Sequence, residues 1–322
     1  MVTAIARMSD APDMAEAPAL QVPPLMDTVQ AAAAGRFLIM GDRGNLWFEG
    51  QGGSDTLVIS FDNLATIDEG WPRAPWAFRR LEPMGHAVLG VQSHAKDWFR
   101  QPTSPAQLVA LRDAGFFARF RRIVLTGASM GGFAALNFAP LIPGPRVLAF
   151  SAQSTMNKVI APFEARFPFA VRKSDWGDAP FLDAAAAIPY IARAALLFDP
   201  FVPEDKAHAA RMRGPNVEQI ACPHATHEAI RVILKSGTFP LLIDAMVRDE
   251  PLGAAFWAAY RARRTVPKWQ RALISNAAAM GHHKLVIAAC NRLLALTDGE
   301  TGEDRVFLRR SKRAALAALQ AK

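Results

Sequence analysis

From Arg36 onward, short apolar runs alternate with stretches of helical period. Eight runs stand out: residues 36–40, 46–49, 56–61, 87–91, 123–126, 146–150, 194–198 and 217–221. The first two flank Gly41-Asp42-Arg43-Gly44-Asn45, a turn cluster of the kind that joins antiparallel strands. Several of the later runs are separated by helical patterns, as over Pro105–Phe120 and Met130–Pro140. Strand-helix alternation with near-continuous apolar strands predicts a parallel sheet covered on both faces. The expected fold class is therefore α/β: an eight-stranded, mostly parallel sheet with helices on both faces.

The pattern changes at three places. Residues 1–32 are rich in Ala, Pro, Asp and Glu with little periodicity, and are predicted to be disordered. A long insert at about 151–189 separates the sixth and seventh runs and carries Phe163, Phe167, Phe169, Trp176 and Phe181. Those rings either line a lid over the site or dock the segment on the core, and the sequence leaves both readings open. The sheet domain is thus placed at 33–250. After it, 251–322 turns Ala/Leu/Arg-rich. Trp269–Met280, Gly281, then His282–Leu296 reads as two helices joined at a glycine, spaced like one tetratricopeptide-like unit. One such unit cannot bury its own face, so it must pack on the sheet domain or on another subunit.

Charge sharpens this division. The net +8 arises almost wholly in residues 251–322, where 13 Lys and Arg face 4 Asp and Glu. The remainder then holds 24 against 25. No zinc-ligand set or nucleic-acid-binding motif accompanies the basic tail, so solvated helix faces are the expectation and nucleic acid is not an expected partner. No apolar stretch approaches the ~20 residues of a membrane span. The start of the chain lacks the charged and apolar regions of a secretory signal, and only Cys222 and Cys290 are present. A cytoplasmic location is expected.

Candidate chemistry centres on Ser129, in Gly127-Ala128-Ser129-Met130-Gly131, between an apolar run and a small-residue helix. A G-x-S-x-G pentapeptide between strand and helix forces a sharp turn that lifts the serine hydroxyl above the sheet. The Met130 amide, at the helix start, then faces the space where an oxyanion would form. A serine nucleophile needs a histidine base held by a carboxylate, met in the order Ser, Asp/Glu, His on loops after strands. Asp199 ends the seventh run beside Pro200, at the edge where the elbow stands, and is favoured as the acid. Asp205 is its competitor, but reads as a cap or first-turn acid of a helix over Asp205–Met212. His227, directly before the helical run Glu228–Ser236, is favoured over His224 as the base. The second oxyanion donor is expected in Phe61-Asp62-Asn63-Leu64, with Asn63 as the candidate. A metal site built from Cys222, His224 and His227 lacks a fourth ligand, and the glycine spacing does not suit a dinucleotide.

Together these residues resemble the α/β-hydrolase family of serine hydrolases over roughly 36–247. The resemblance implies acyl-enzyme chemistry without cofactor or metal. Ser129 would attack, His227 would take its proton, Asp199 would orient the imidazole, and the amides of Met130 and Asn63 would hold the oxyanion. The expected activity is cleavage of a carboxylic ester or thioester of a small acyl substrate. Two alternatives remain: an acyltransferase using the same residues, or an interaction protein whose helical tail docks a protein partner or forms a homo-oligomer.

Overall fold

A computed structural model describes residues 21–177, 180–296 and 302–321 of the chain. Eight strands form one sheet: β1 (Arg36–Met40), β2 (Gly44–Glu49), β3 (Thr56–Phe61), β4 (Ala87–Ser93), β5 (Arg122–Ala128), β6 (Arg146–Phe150), β7 (Arg193–Phe198) and β8 (Val217–Ala221). Their order is β1-β2-β4-β3-β5-β6-β7-β8. The β1–β2 and β2–β4 pairings are antiparallel and all the others parallel. This is the α/β-hydrolase fold, and every apolar run of the sequence falls inside one of its strands.

The helices follow in chain order: α1 (Thr28–Ala33), α2 (Leu64–Ile67), α3 (Phe78–Leu81), α4 (Thr103–Asp113), α5 (Met130–Phe138), α6 (Pro168–Lys173) and α7 (Ala184–Ala187). Beyond β7 come α8 (Pro203–Arg211), α9 (Ala229–Lys235), α10 (Phe239–Arg248), α11 (Ala254–Ala259), α12 (Pro267–Ala279), α13 (His283–Leu296) and α14 (Glu303–Gln320). Each strand sorts its side chains between two apolar layers with period two. On β3, Leu57, Ile59 and Phe61 join the layer under α1, α4 and α5, and Val58 joins the opposite one. On β5, Ile123 and Leu125 face the first layer and Val124 the second. Burial on both faces is why these strands read as unbroken apolar runs.

Three expectations need adjustment. Within the segment expected to be disordered, residues 1–20 lie outside the described residues, but Thr28–Ala33 is a helix capped by the Asp27 side chain on Gln30 N–H. Its Ala31 is fully buried, and Arg119 ties the turn down by donating to the Ala32 and Ala34 carbonyls. The helix expected to open at Asp205 opens two residues earlier, at Pro203. The insert docks through some of the rings that mark it: Trp176 lies 5.5 Å from Phe133, and Phe181 5.2 Å from Phe138. Phe167 instead sits 5.1 Å from Trp98 and 5.9 Å from His227.

The C-terminal helices pack on the sheet domain and on each other. Gly281, with φ at 75°, turns the chain between α12 and α13. Ile274, Val286, Cys290, Leu308 and Ala315 form a small separate core among α12, α13 and α14. Trp269 of α12 belongs to the sheet's own apolar layer, with its indole N–H donating to the Pro223 carbonyl at 2.9 Å. Among the described residues no helix is long and apolar enough to cross a membrane.

Candidate active site

Ser129 stands on the turn between β5 and α5 with φ 52° and ψ −114°, a conformation that side-chain-bearing residues rarely adopt. Its own N–H donates to the Phe150 carbonyl at 2.8 Å, which fixes the turn to β6. Glycines permit the crowding around it. A Cβ on Gly127 would enter the backbone of Gly131, and one on Gly131 would lie 2.6 Å from the carbonyl oxygens of Phe61 and Asp62. The elbow is thus wedged against the ends of β3 and β6, with its serine side chain only part-buried.

His227 reaches that serine. Its Nε2 lies 3.0 Å from Ser129 Oγ, and its Nδ1 lies 2.9 Å from both oxygens of Asp205. An ionised carboxylate can only accept, so Nδ1 carries the hydrogen and Nε2 presents its lone pair to the serine hydroxyl. The acid brought to His227 is therefore Asp205, where the sequence favoured Asp199. Asp199 does lie at the predicted strand end, but its carboxylate is engaged by loop amides. Its Oδ1 accepts from Phe201 N–H at 2.9 Å and its Oδ2 from Thr226 N–H at 2.7 Å. Both its oxygens staple the loop after β7 to the loop after β8, so they hold the two segments that carry Asp205 and His227. Asp205 is not a cap either. Val202 occupies the N-cap of α8 and no side chain caps that end, which leaves the first-turn carboxylate free to swing toward the imidazole.

His224 points elsewhere. It stacks on Phe201 with centroids 4.6 Å apart, and its Nδ1 meets the Asn276 amide of α12 at 2.9 Å. Burial lowers its pKa. Cys222 is fully buried, and burial pushes its thiol up to about 12. Among the described residues no cluster of three or more His, Cys, Asp or Glu side chains is placed to hold a metal ion.

A buried ionic network, absent from the sequence reading, stands behind Asp205. Arg166 Nη1 lies 2.9 Å from Asp205 Oδ1, and Arg166 Nη2 lies 2.6 Å from Glu164 Oε2. The guanidinium also comes within 3.3 Å of His227 Nδ1. Both of those nitrogens carry hydrogens, so this is a shared approach to Asp205 rather than a bond between them. Glu164 accepts from His208 Nε2 at 3.1 Å, and His208 Nδ1 accepts from Ser154 N–H at 3.1 Å. The His208 tautomer is thereby fixed as neutral with hydrogen on Nε2, in keeping with burial lowering its pKa. Burial alone would raise Glu164, but His208 and Arg166 overcome it and hold the carboxyl at about 2. The insert and α8 are thus joined beneath the imidazole by one guanidinium shared between two carboxylates.

The two expected oxyanion donors fare differently. Met130 is the first residue of α5, so its N–H has no intrahelical acceptor and stays at the elbow. Asn63 is occupied. Its N–H donates to Thr66 Oγ1 at 2.9 Å while its side chain accepts from the amides of Ala65 and Thr66, a capping box at the start of α2. The preceding amide, of Asp62, donates to the Val91 carbonyl at 3.2 Å. The Asp62 carboxyl is sealed against Arg73 and raised by burial to about 6, with Arg73 and the Ser93 amide acting against that rise.

One more side chain touches the serine. Gln153, fully buried after β6, places its Nε2 3.2 Å and its Oε1 3.3 Å from Ser129 Oγ. The Trp98 indole N–H donates to that Oε1 at 3.1 Å. A flipped amide would set two donors against each other, so Trp98 fixes which end of the amide is Nε2, while both ends lie within 3.3 Å of the serine hydroxyl. A lone glutamine in an irregular insert carries no sequence signal for this position.

No family model and no curated protein matches the sequence. Among solved structures, the capsule O-acetyltransferase of Neisseria meningitidis serogroup A superposes with TM-score 0.47 at 9% identity, covering 64% of this chain and 93% of that one. Carboxyl esterase 2 from Tuber melanosporum gives 0.42 at 12%, covering 71% and 85%. The proline iminopeptidase of Mycobacterium smegmatis gives 0.40 at 11%, covering 67% and 100%. These are likenesses of chain path at very low identity.

Proposed function

We propose that this chain is a serine hydrolase that cleaves a carboxylic ester or thioester through an acyl-serine intermediate. The observation that carries the reading is the unbroken run of hydrogen bonds from Ser129 Oγ through His227 to Asp205 at a strained elbow. In the first step Oγ bonds to the acyl carbon while its proton passes to His227 Nε2. The carbonyl electron pair moves onto oxygen, toward the Met130 amide. Asp205 steadies the imidazolium so formed, and Arg166 keeps the carboxylate in place. When the carbonyl re-forms, the imidazolium gives its proton to the leaving group. Water, activated by the same histidine, then releases the acid and restores the serine. The balance needs only substrate and water.

A fluorophosphonate probe tests this directly. The full chain is expected to be labelled on Ser129, and Ser129→Ala to be unlabelled and to lose on the order of 10⁶-fold in kcat toward p-nitrophenyl esters. A wild type that resists the probe, or a Ser129→Ala variant that still turns over ester, contradicts the reading.

A further inference from the structure

An acyl-transfer site needs at least two donors aimed at the developing oxyanion, and in the turn after β3 the two amides nearest the strand end are already engaged. The Asp62 amide is held by Val91 and the Asn63 amide by Thr66. Met130 offers one N–H. Across the serine from that turn stands a buried primary amide with its acceptor end already engaged: Gln153, locked by Trp98. A buried glutamine aimed at an attacking atom is costly to keep unless its N–H groups find acceptors. At rest Nε2 donates to Oγ at 3.2 Å, the atom that is about to attack.

We propose that Gln153 is a catalytic residue, donating its Nε2–H to the substrate carbonyl oxygen as that oxygen takes up negative charge, beside the Met130 amide. This deepens the acyl-serine reading and rests on it. As the Oγ–carbon bond forms, Oγ becomes a weaker acceptor, while the carbonyl π pair becomes charge on oxygen a short distance away. The amide donor therefore gains a stronger partner in the transition state than it has in the ground state, which is the condition for raising kcat rather than tightening binding. Trp98 is a positioning residue: its indole N–H keeps the amide from rotating its oxygen toward the substrate.

The test uses the full chain with p-nitrophenyl acetate and, in parallel, the second-order rate of fluorophosphonate labelling. Gln153→Ala and the similarly sized Gln153→Met are expected to lower kcat by about 10²–10³-fold with KM within about threefold, and to slow labelling alongside. Gln153→Glu is expected to fall at least as far, because it removes the donor and adds like charge. Trp98→Phe is expected to lose about tenfold. Melting curves exclude misfolding, and the isosteric variant keeps the test valid if alanine destabilises the insert. If folded Gln153→Ala and Gln153→Met keep kcat within twofold while Ser129→Ala is inactive, the proposal is overturned and the acyl-serine reading stands. The Leu64 amide, at the first position of α2, is then the donor left in that turn. Activity surviving in Ser129→Ala overturns both.

Discussion

The rim above the sheet and the helical unit at the C-terminus are stabilised in opposite ways. At the rim, Asp199, Asp205, Glu164, His208 and Gln153 are all nearly or fully buried, and each is paired with groups from distant parts of the chain. In the helical unit, five buried side chains with partly buried neighbours form a small core among the described residues, while Leu285, Leu296 and Val306 stay more than 60% exposed. The rim concentrates polar groups that are expensive to bury, so it tolerates one geometry. The helical unit relies on short-range apolar packing, which constrains little beyond helix spacing. Their meeting point is α12, where Trp269, Asn276 and Lys268 grip the loop that carries His224 and His227.

That contrast is open to direct attack. Leu308→Ala should cost about 2–5 kcal/mol by opening a cavity in the small core. Amides of α13 and α14 should then exchange hydrogen faster while kcat is unchanged; activity falling in step would mean that the two regions unfold as one. Next, the ionic network should show itself in acid. Glu164 is held at about 2 against an ordinary 4.5, so its contribution to stability is complete above 4.5 and is lost as pH falls toward 2. The loss amounts to about 3 kcal/mol. Urea unfolding of Glu164→Gln should lack this part of the pH dependence; an identical slope in variant and wild type would leave the network without weight. The smallest effect is expected at the junction. Trp269→Phe keeps the ring but leaves the Pro223 carbonyl without its indole donor, at about 1 kcal/mol. Imidazole signals of His224 should shift more than those of His227, which Asp205 holds from the other side.

The sheet was legible because parallel strands covered on both faces are mostly apolar, so β3 and β5 stand out despite the buried Thr56, Ser60 and Thr126. The elbow was legible because close backbone approach at Gly127 and Gly131 admits no other residue. Asp199 misled for a physical reason. Its place at the end of β7 suits a carboxylate that is needed by loop amides just as well as one needed by a histidine, and the sequence holds no record of which amides lie near. Asp205 was discounted because first-turn acids usually serve the helix, and only the orientation of α8 turns this one toward His227. Arg166, Glu164 and Gln153 lie in the irregular insert, where no period ties residue number to direction. Asn63 looked like a free amide until Thr66, three residues on, completed a capping box.

The assignment of Asp205 over Asp199 is tested most directly by kcat for two single variants, each checked for a native melt. Asp205→Asn is expected to lower kcat on the order of 10⁴-fold, since an amide can turn its N–H toward Nδ1 and select the wrong imidazole tautomer. Asp199→Asn still offers one oxygen to the loop amides, and is expected to lose stability while holding kcat within about tenfold. The reverse ranking, with Asp199→Asn crippled and Asp205→Asn active, would contradict the arrangement of the site described here.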